Sequence, residues 1–230
     1  MSLPLLNDTP KYELKIPSTG KKIKYRPYLV KEEKILLIAN ESKDPKLITD
    51  SIVDTIQACT NNKIKISELT TFDLEYLFIK IRAKSVGENV DMTMPCSECK
   101  QRNEVSINLD EVECPVENVE NIIVIDKDIS VEMQYPSYDK IESSEDETEA
   151  VFNIIATCIK AVYSKDERID IEDEPKETVV AFLDSMTRTQ FQKISDFIQT
   201  MPQVQHSIIF DCSSCGEHNE IEIKGLQNFF

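Results

Sequence analysis

Four cysteines occur in two Cys-x-x-Cys pairs, Cys96 with Cys99 and Cys212 with Cys215. A Cys-x-x-Cys turn brings two sulfurs near one point, and two such turns complete the tetrahedral shell that structural zinc prefers. A shell of four thiolates also leaves no open coordination position for a reacting molecule. We therefore expect these four residues to bind one structural Zn²⁺ ion in a zinc-ribbon-like site. Iron also suits four thiolates and is the less favoured alternative.

The two pairs belong to a longer repeated motif. Residues 96–107 read CSECKQRNEVSI and residues 212–223 read CSSCGEHNEIEI, so both follow C-S-x-C-x-x-x-N-E-[VI]-x-I. Gly216 follows the second pair, and Lys100 occupies the equivalent place in the first. A match of this length is too long for two accidental Cys pairs and indicates an internal duplication. Each copy would supply one Cys-bearing hairpin to the same metal site.

The first half predicts a strand, two helices and the first hairpin. Alternating residues before Pro27 indicate the strand, and Asp44-Pro45 resembles a helix start with proline in the first turn. Lys63–Ile66 reads as a short strand between the helices, and Val90–Met94 as the strand leading to the first Cys pair. The apolar positions with helical spacing are Ile48, Ile52, Ile56 and Cys59, then Leu74, Leu77, Phe78 and Ile81.

The second half predicts a similar order of elements. A strand ends near Pro136, the acidic run Glu142 to Glu149 is expected at a solvated helix start, and Arg168–Ile171 forms a short strand. An acidic loop over residues 172–182 leads into a short helix, and residues 207–210 form the strand before the second Cys pair. Thr187 and Gln190 predict a capping box. The apolar helical positions are Val151, Ile154, Ile155, Cys158, Ile159 and Val162, then Phe191, Ile194, Ile198 and Met201.

These patterns predict an α+β fold of two pseudo-symmetric repeats, each consisting of a strand, two helices and a Cys-x-x-Cys hairpin. The repeats would span residues 1–116 and 117–230 and form one compact unit. In this interpretation the four-cysteine site joins the two repeats across a pseudo-twofold axis.

The remaining cysteines and histidines are not expected to bind the metal. Cys59 and Cys158 lie on apolar helix faces, where buried and inert thiols are the default. Cys114 precedes a proline and receives no role. His218 is expected to be an exposed turn residue and His206 a strand residue, because four cysteines already complete the shell.

Composition, charge and missing motifs disfavour several classes of function. The chain has 230 residues and a net charge of −16, which disfavours binding to a phosphate backbone. Its one basic cluster, Lys21, Lys22, Lys24 and Arg26, is interpreted as the solvent face of a strand. No apolar run is long enough to cross a bilayer, no secretion signal is expected, and seven cysteines with two clean pairs favour a reducing compartment. Phosphate-binding and catalytic motifs are missing, so we expect no enzyme.

Two segments carry a resemblance to a known family. Residues 16–36 read IPSTGKKIKYRPYLVKEEKIL and residues 72–88 read FDLEYLFIKIRAKSVGE, followed by the first Cys pair. They resemble T4-like bacteriophage baseplate proteins, specifically the baseplate hub subunit or hub assembly protein. The resemblance covers residues 11–112 closely and the remainder more loosely.

The resemblance implies a non-enzymatic structural or assembly protein that contacts other baseplate hub or tail proteins. It implies a location in the host cytoplasm during assembly, or in the tail baseplate of the virion. Two other functions remain open from the sequence. One is a zinc-ribbon nucleic-acid or transcription accessory factor, which the negative charge disfavours. The other is a thiol oxidoreductase, although a redox Cys pair is expected at a strand-to-helix junction and both pairs here are flanked by strands.

Overall fold

The structure is a computed structural model that describes residues 9–117, 119–138, 147–165 and 167–229. In chain order, the elements are β1 (Tyr12–Lys15), β2 (Lys22–Tyr25), α1 (Val30–Ser42), α2 (Pro45–Cys59), α3 (Thr71–Val86), β3 (Asn89–Pro95), β4 (Arg102–Asn108), β5 (Ile122–Val124), β6 (Ile129–Met133), α4 (Glu147–Cys158), β7 (Ile159–Ser164), β8 (Glu167–Asp170), α5 (Lys176–Asp184), α6 (Arg188–Gln199), β9 (Gln205–Asp211) and β10 (His218–Lys224). Short 3₁₀ helices lie at Ile66–Glu68, Leu109–Glu111, Ile171–Asp173 and Leu226–Phe229. None of the described helices is long and apolar enough to span a bilayer.

The chain forms two compact units. One comprises Met1–Val116 together with Gln203–Phe230, and the other comprises Glu117–Pro202. Contacts therefore group the second Cys hairpin with the first half of the sequence. The division into two repeats over residues 1–116 and 117–230 stays a prediction.

The first unit contains three helices and three two-stranded antiparallel hairpins, β1–β2, β3–β4 and β9–β10, among the residues described. Helix α3 forms because Thr70 and Asp73 make a capping box at its start, which satisfies main-chain N–H groups of the first turn. Its apolar residues then face the core, where Leu77 and Ile79 are fully buried. The core that supports the Cys hairpins combines Ile79, Ala83, Ile107, Leu109, Val112, Val204, Ile208, Ile223 and Phe229.

The second unit is built around a four-stranded antiparallel sheet with the order β5-β6-β7-β8. Helices α4 and α6 contribute to its core, which includes Ile155 from α4, Val131 from β6 and Ile194 from α6. A capping box between Thr187 and Gln190 begins α6, as predicted. The unit contains none of the four cysteines of the predicted metal site.

Several sequence predictions of secondary structure are confirmed. Asp44 accepts hydrogen bonds from the first main-chain N–H groups of α2, with Pro45 in the first turn. The predicted strands around Val90–Met94 and before Pro136 correspond to β3 and β6, and Arg168–Ile171 corresponds closely to β8. The acidic run Glu142 to Glu149 lies outside the described residues, apart from the main chain of its last three members.

Other predictions are wrong. The predicted strand at Lys63–Ile66 leads instead into a 3₁₀ turn. The sequence predicts that the α4 helical pattern continues through Val162, but strand β7 begins at Ile159, with Ile159, Ala161 and Val162 buried. Periodicity alone does not distinguish a short buried strand from a buried helical turn. Helix α1 was not predicted. The two halves therefore differ in the order of their elements outside the Cys hairpins.

Candidate metal centre

The four predicted cysteines lie close together in the first unit. Their sulfur atoms are all within 4.8 Å of one another. The sulfurs of Cys96 and Cys215 are 3.7 Å apart, and those of Cys99 and Cys212 are 3.6 Å apart. A zinc–sulfur bond of about 2.3 Å gives a tetrahedron with edges of about 3.8 Å. The cluster therefore has the size of a four-thiolate zinc site.

Each Cys pair is positioned by an antiparallel hairpin. Cys96 directly follows β3, which pairs with β4 along seven residues from Asn89 to Pro95. Cys212 directly follows β9, which pairs with β10 over the same length. The strands are fixed by the apolar core of the unit, so the turns at their ends are held in place and present their sulfurs to each other.

The two Cys turns have the same main-chain hydrogen bonds. In the first turn, the N–H of Cys96 donates to the carbonyl of Gln101 at 2.9 Å, and the N–H of Lys100 donates to the carbonyl of Cys96 at 3.2 Å. The equivalent bonds of the second turn are 2.8 and 2.9 Å long. Lys100 and Gly216 occupy the same left-handed position, with φ of 60° and 71°. Glycine adopts this conformation without the steric penalty that lysine has there.

Two asparagines connect the hairpins reciprocally. The side-chain oxygen of Asn219 accepts from the N–H of Ser97 at 2.8 Å, and its amide nitrogen lies 3.7 Å from the sulfur of the first hairpin's leading cysteine. Asn103 makes the matching contacts, accepting from the N–H of Ser213 at 2.9 Å with its amide nitrogen 3.7 Å from the sulfur of the second hairpin's leading cysteine. Both asparagines are buried. Each hairpin therefore orients a sulfur and a turn of the other, as outer-shell partners of a metal site do.

The surroundings of the sulfurs favour thiolates at two positions. Main-chain N–H groups of Cys215 and Ser214 directed at the Cys212 sulfur lower its pKa to about 6. Burial raises the pKa of Cys96, but the N–H groups of Cys99 and Glu98 outweigh this effect, and the pKa lies below its usual value.

The pKa of the Cys215 thiol is shifted in the opposite direction. The main-chain N–H of Glu217 favours the thiolate of Cys215, but the neighbouring sulfurs of Cys99, Cys212 and Cys96 raise its pKa to about 12. Negative charges so close together repel one another. Four thiolates can share this space when a cation compensates their charge, which is the chemistry of a bound metal ion.

The cluster is half open to solvent. Cys96 and Cys212 are buried, whereas Cys99 and Cys215 are exposed. No other group of three or more Cys, His, Asp or Glu side chains with metal-binding spacing occurs within the described ranges. His218 lies on β10 with an exposed side chain, and its Nδ1 is 2.8 Å from Asp211 Oδ1. It is therefore paired with a carboxylate, and His206 lies on β9.

The remaining cysteines lie in or against the apolar cores. Cys59 and Cys158 are fully buried, and burial raises the pKa of their thiols to about 11 and about 12. Cys114, which received no role from the sequence, packs against the core of the first unit. Burial likewise raises its pKa to about 12.

Sequence reasoning missed three residues that shape this region. Asn103 and Asn219 were visible as matching positions in the duplicated motif, and that match was the signal for a shared role. Lys80 gave no signal, because it looks like a solvent-facing residue of a helix. In the structure its ammonium group is buried and donates to the carbonyls of Leu109, Asp110 and Val112 at 2.6 to 3.2 Å. It thereby fixes the chain that leaves the first Cys hairpin.

Comparisons with known proteins identify the family. No curated protein and no solved structure shows a significant match to the chain. A family model described as "T4 bacteriophage base plate protein" matches residues 9–230. This match spans nearly the whole sequence, including both Cys hairpins and both structural units. The chain belongs to the T4 bacteriophage base plate protein family.

Proposed function

We propose that this chain is a non-enzymatic structural or assembly protein of the baseplate hub, stabilised by one Zn²⁺ ion and acting through contacts with other hub or tail proteins. Family membership over residues 9–230 supports the baseplate role. The observation that carries the proposal is the four-sulfur cluster, because a closed shell gives the site an architectural role.

The proposed zinc ion is held by Cys96, Cys99, Cys212 and Cys215. Bound there, it would tie together two hairpins from distant parts of the sequence. Binding energy at a site that exists only in the folded chain contributes to folding. The reciprocal asparagine contacts and the shared motif support the origin of the two hairpins by duplication, with a pseudo-twofold axis through the metal site.

The competing functions have less support. A nucleic-acid factor conflicts with the net charge of −16. A thiol oxidoreductase uses one Cys pair with an open approach to its nucleophilic sulfur. Here sulfurs of opposite hairpins lie 3.6 and 3.7 Å apart, which favours coordination of a metal by all four.

Gene deletion and complementation test this proposal. We expect deletion to abolish tail assembly, and purified protein to capture other hub or tail proteins. A Cys212→Ser variant should lose zinc and fail to complement, whereas the matched control Cys114→Ala should retain zinc and complement. Mass spectrometry of purified virions then distinguishes a retained hub subunit from an assembly factor. Normal tails in the deletion strain would refute the proposed role.

A further inference from the structure

Positive charge is concentrated in one part of this acidic chain. Residues 9–65 contain 12 Lys and Arg against seven Asp and Glu, a net charge of +5, within a chain of net charge −16. A local excess of one sign steers partners of the opposite sign towards a surface. The basic cluster interpreted from the sequence as a simple strand face is part of this excess.

Folding brings five of these cations around one cavity. The cavity has a volume of about 410 Å³ and is lined by Lys11, Lys24, Arg26, Lys31 and Lys63. No carboxylate is among the described residues that line it. We call these five residues and the cavity the cationic pocket. Cations from the β1–β2 hairpin, from α1 and from the chain after α2 thus converge on the same space.

The cationic pocket has little internal compensation. Lys11, Lys24 and Lys63 form no ion pair within the described part of the chain. The other two pocket cations share Glu32, at 2.9 and 3.4 Å. Like charges held together repel one another, so the pocket has an unmet attraction for anions. Carboxylates of a partner would relieve this repulsion.

An exposed apolar face lies along the same helix as one pocket cation. Lys31, Ile35 and Ile38 follow one another on α1 at spacings of four and three residues, which places them on one side of the helix. Ile35 and Ile38 are 51% and 54% exposed, and the adjacent Val30 and Leu37 are 79% and 58% exposed. We call Val30, Ile35, Leu37 and Ile38 the outer face of α1. Its apolar side chains are therefore continuous with the cationic pocket.

This arrangement reverses the usual orientation of an amphipathic helix. The buried residues of α1 are Glu32 and Ala39, whereas four of its five large aliphatic side chains are exposed. Exposed aliphatic side chains grouped on one helix face mark interaction surfaces more often than scattered ones do. A surface of this kind, bordered by the cationic pocket, has the composition of a protein-docking site.

We propose that the cationic pocket and the outer face of α1 form one docking surface for an acidic amphipathic segment of another baseplate or tail protein. The inference rests on the proposed function as a protein that acts through protein contacts, and it names the chemistry of the partner. Carboxylates of the segment pair with the pocket cations, while its apolar side chains cover the outer face of α1. A protein segment is favoured over nucleic acid because a phosphate backbone offers nothing to cover four aliphatic side chains.

Binding of a designed probe to the full-length protein tests the docking surface. The probe is a short fluorescent peptide helix with glutamates on one face and leucines on the other, and its Kd is measured by anisotropy at low and physiological ionic strength. We expect Lys24→Glu/Lys63→Glu and Ile35→Ser/Ile38→Ser each to raise the Kd by about tenfold. Higher salt should weaken binding to the wild type more than binding to the charge-reversed variant.

Matched variants separate the site from general charge or hydrophobicity. Lys46→Glu/Lys127→Glu changes the net charge equally at exposed positions outside the pocket, and Ile209→Ser removes an exposed aliphatic side chain from β9. Both should change the Kd less than twofold. Unchanged circular dichroism and zinc content confirm that each variant is folded. Equal losses of probe affinity in the control variants and the surface variants would overturn the proposal.

Three further results would also overturn it. If a probe with lysines in place of its glutamates bound as tightly as the acidic probe, charge would not govern binding. Tighter, pocket-dependent binding of a short DNA duplex would assign the surface to nucleic acid. Concentration-dependent dimers that the Ile35→Ser/Ile38→Ser variant loses would assign it to a second copy of this chain. Surface variants should also fail to complement the deletion; if they complement fully, the docking surface is refuted while the hub role remains intact.

Discussion

Removal of the Asn103 side chain tests how strongly the two Cys hairpins depend on each other. The side-chain oxygen of Asn103 accepts from both the N–H and the hydroxyl of Ser213, each at 2.9 Å. Its amide nitrogen donates to the carbonyl of Gln101 at 2.9 Å and lies near a metal-site sulfur. Asn103→Ala therefore removes contacts within its own turn and contacts to the opposite hairpin together.

The contacts give the size of the effect. An ordinary hydrogen bond contributes about 1 kcal/mol net, and an unsatisfied buried donor adds to the loss. We expect Asn103→Ala to reduce the free energy of unfolding by about 2–3 kcal/mol. Loss of an outer-shell partner should also lower zinc affinity by about 10- to 100-fold. Asn219→Ala should have a slightly smaller effect on stability, because Asn219 accepts one hydrogen bond from Ser97 where Asn103 accepts two from its serine.

Two measurements on the same variants check these values. Competition with a chromophoric chelator gives the zinc affinity, and denaturant unfolding of the zinc-loaded protein gives the stability. Asn40→Ala is the matched control, since Asn40 is exposed on α1 and away from the Cys turns. Its zinc affinity and unfolding midpoint should match the wild type.

Specific outcomes would refute the reasoning. If Asn103→Ala keeps wild-type zinc affinity, the asparagines do not orient the metal-binding sulfurs. If Asn103→Ala is harmful while Asn219→Ala behaves like the control, the reciprocal coupling of the hairpins is wrong. A loss of stability that persists equally in metal-free protein would show that Asn103 supports folding without affecting the metal site.

Three other predictions follow from buried polar groups. Lys80→Met should destabilise the protein by about 2–3 kcal/mol in denaturant unfolding, because it leaves three main-chain carbonyls without their buried donor. Hydrogen bonds, chiefly from Lys160, lower the pKa of Glu132 to about 2. The ionised carboxylate therefore stabilises the folded protein above about pH 4.5, and this contribution is lost as pH falls towards 2. Glu132→Gln should flatten the loss of stability measured between about pH 5 and 3. Cys59 and Cys158 should resist iodoacetamide in folded protein and react after unfolding, as followed by peptide mass spectrometry, because both thiols are buried with raised pKa values.

The sequence was most informative where residue types define the geometry. Cys99 and Cys212 lie 113 positions apart, yet the duplicated motif predicted their proximity, and their sulfurs are 3.6 Å apart. Asp44 with Pro45 predicted the start of α2 because capping and the fixed φ of proline are local effects. Thr187 with Gln190 predicted the start of α6 for the same reason.

Predictions failed where local patterns allow two structures. The apolar residues from Ile154 to Val162 have helical spacing, but periodicity alone does not separate a short buried strand from a buried helical turn, and the chain changes from α4 to β7 at Ile159. Helix α1 is not predicted because most of its large aliphatic residues face outward and give no core-facing stripe. The cationic pocket depends on Lys11, Lys24 and Lys63 meeting through tertiary structure, which spacing in the sequence does not reveal.

X-ray absorption at the zinc edge, combined with elemental analysis of the purified protein, tests the central claim most directly. The four-sulfur cluster predicts one zinc ion per chain with four sulfur ligands at about 2.3 Å. It also predicts that Cys212→Ser loses the all-sulfur signal while Cys114→Ala keeps it. Protein that folds fully without metal, or zinc bound mainly by nitrogen or oxygen, would contradict a structural zinc that ties the two hairpins together.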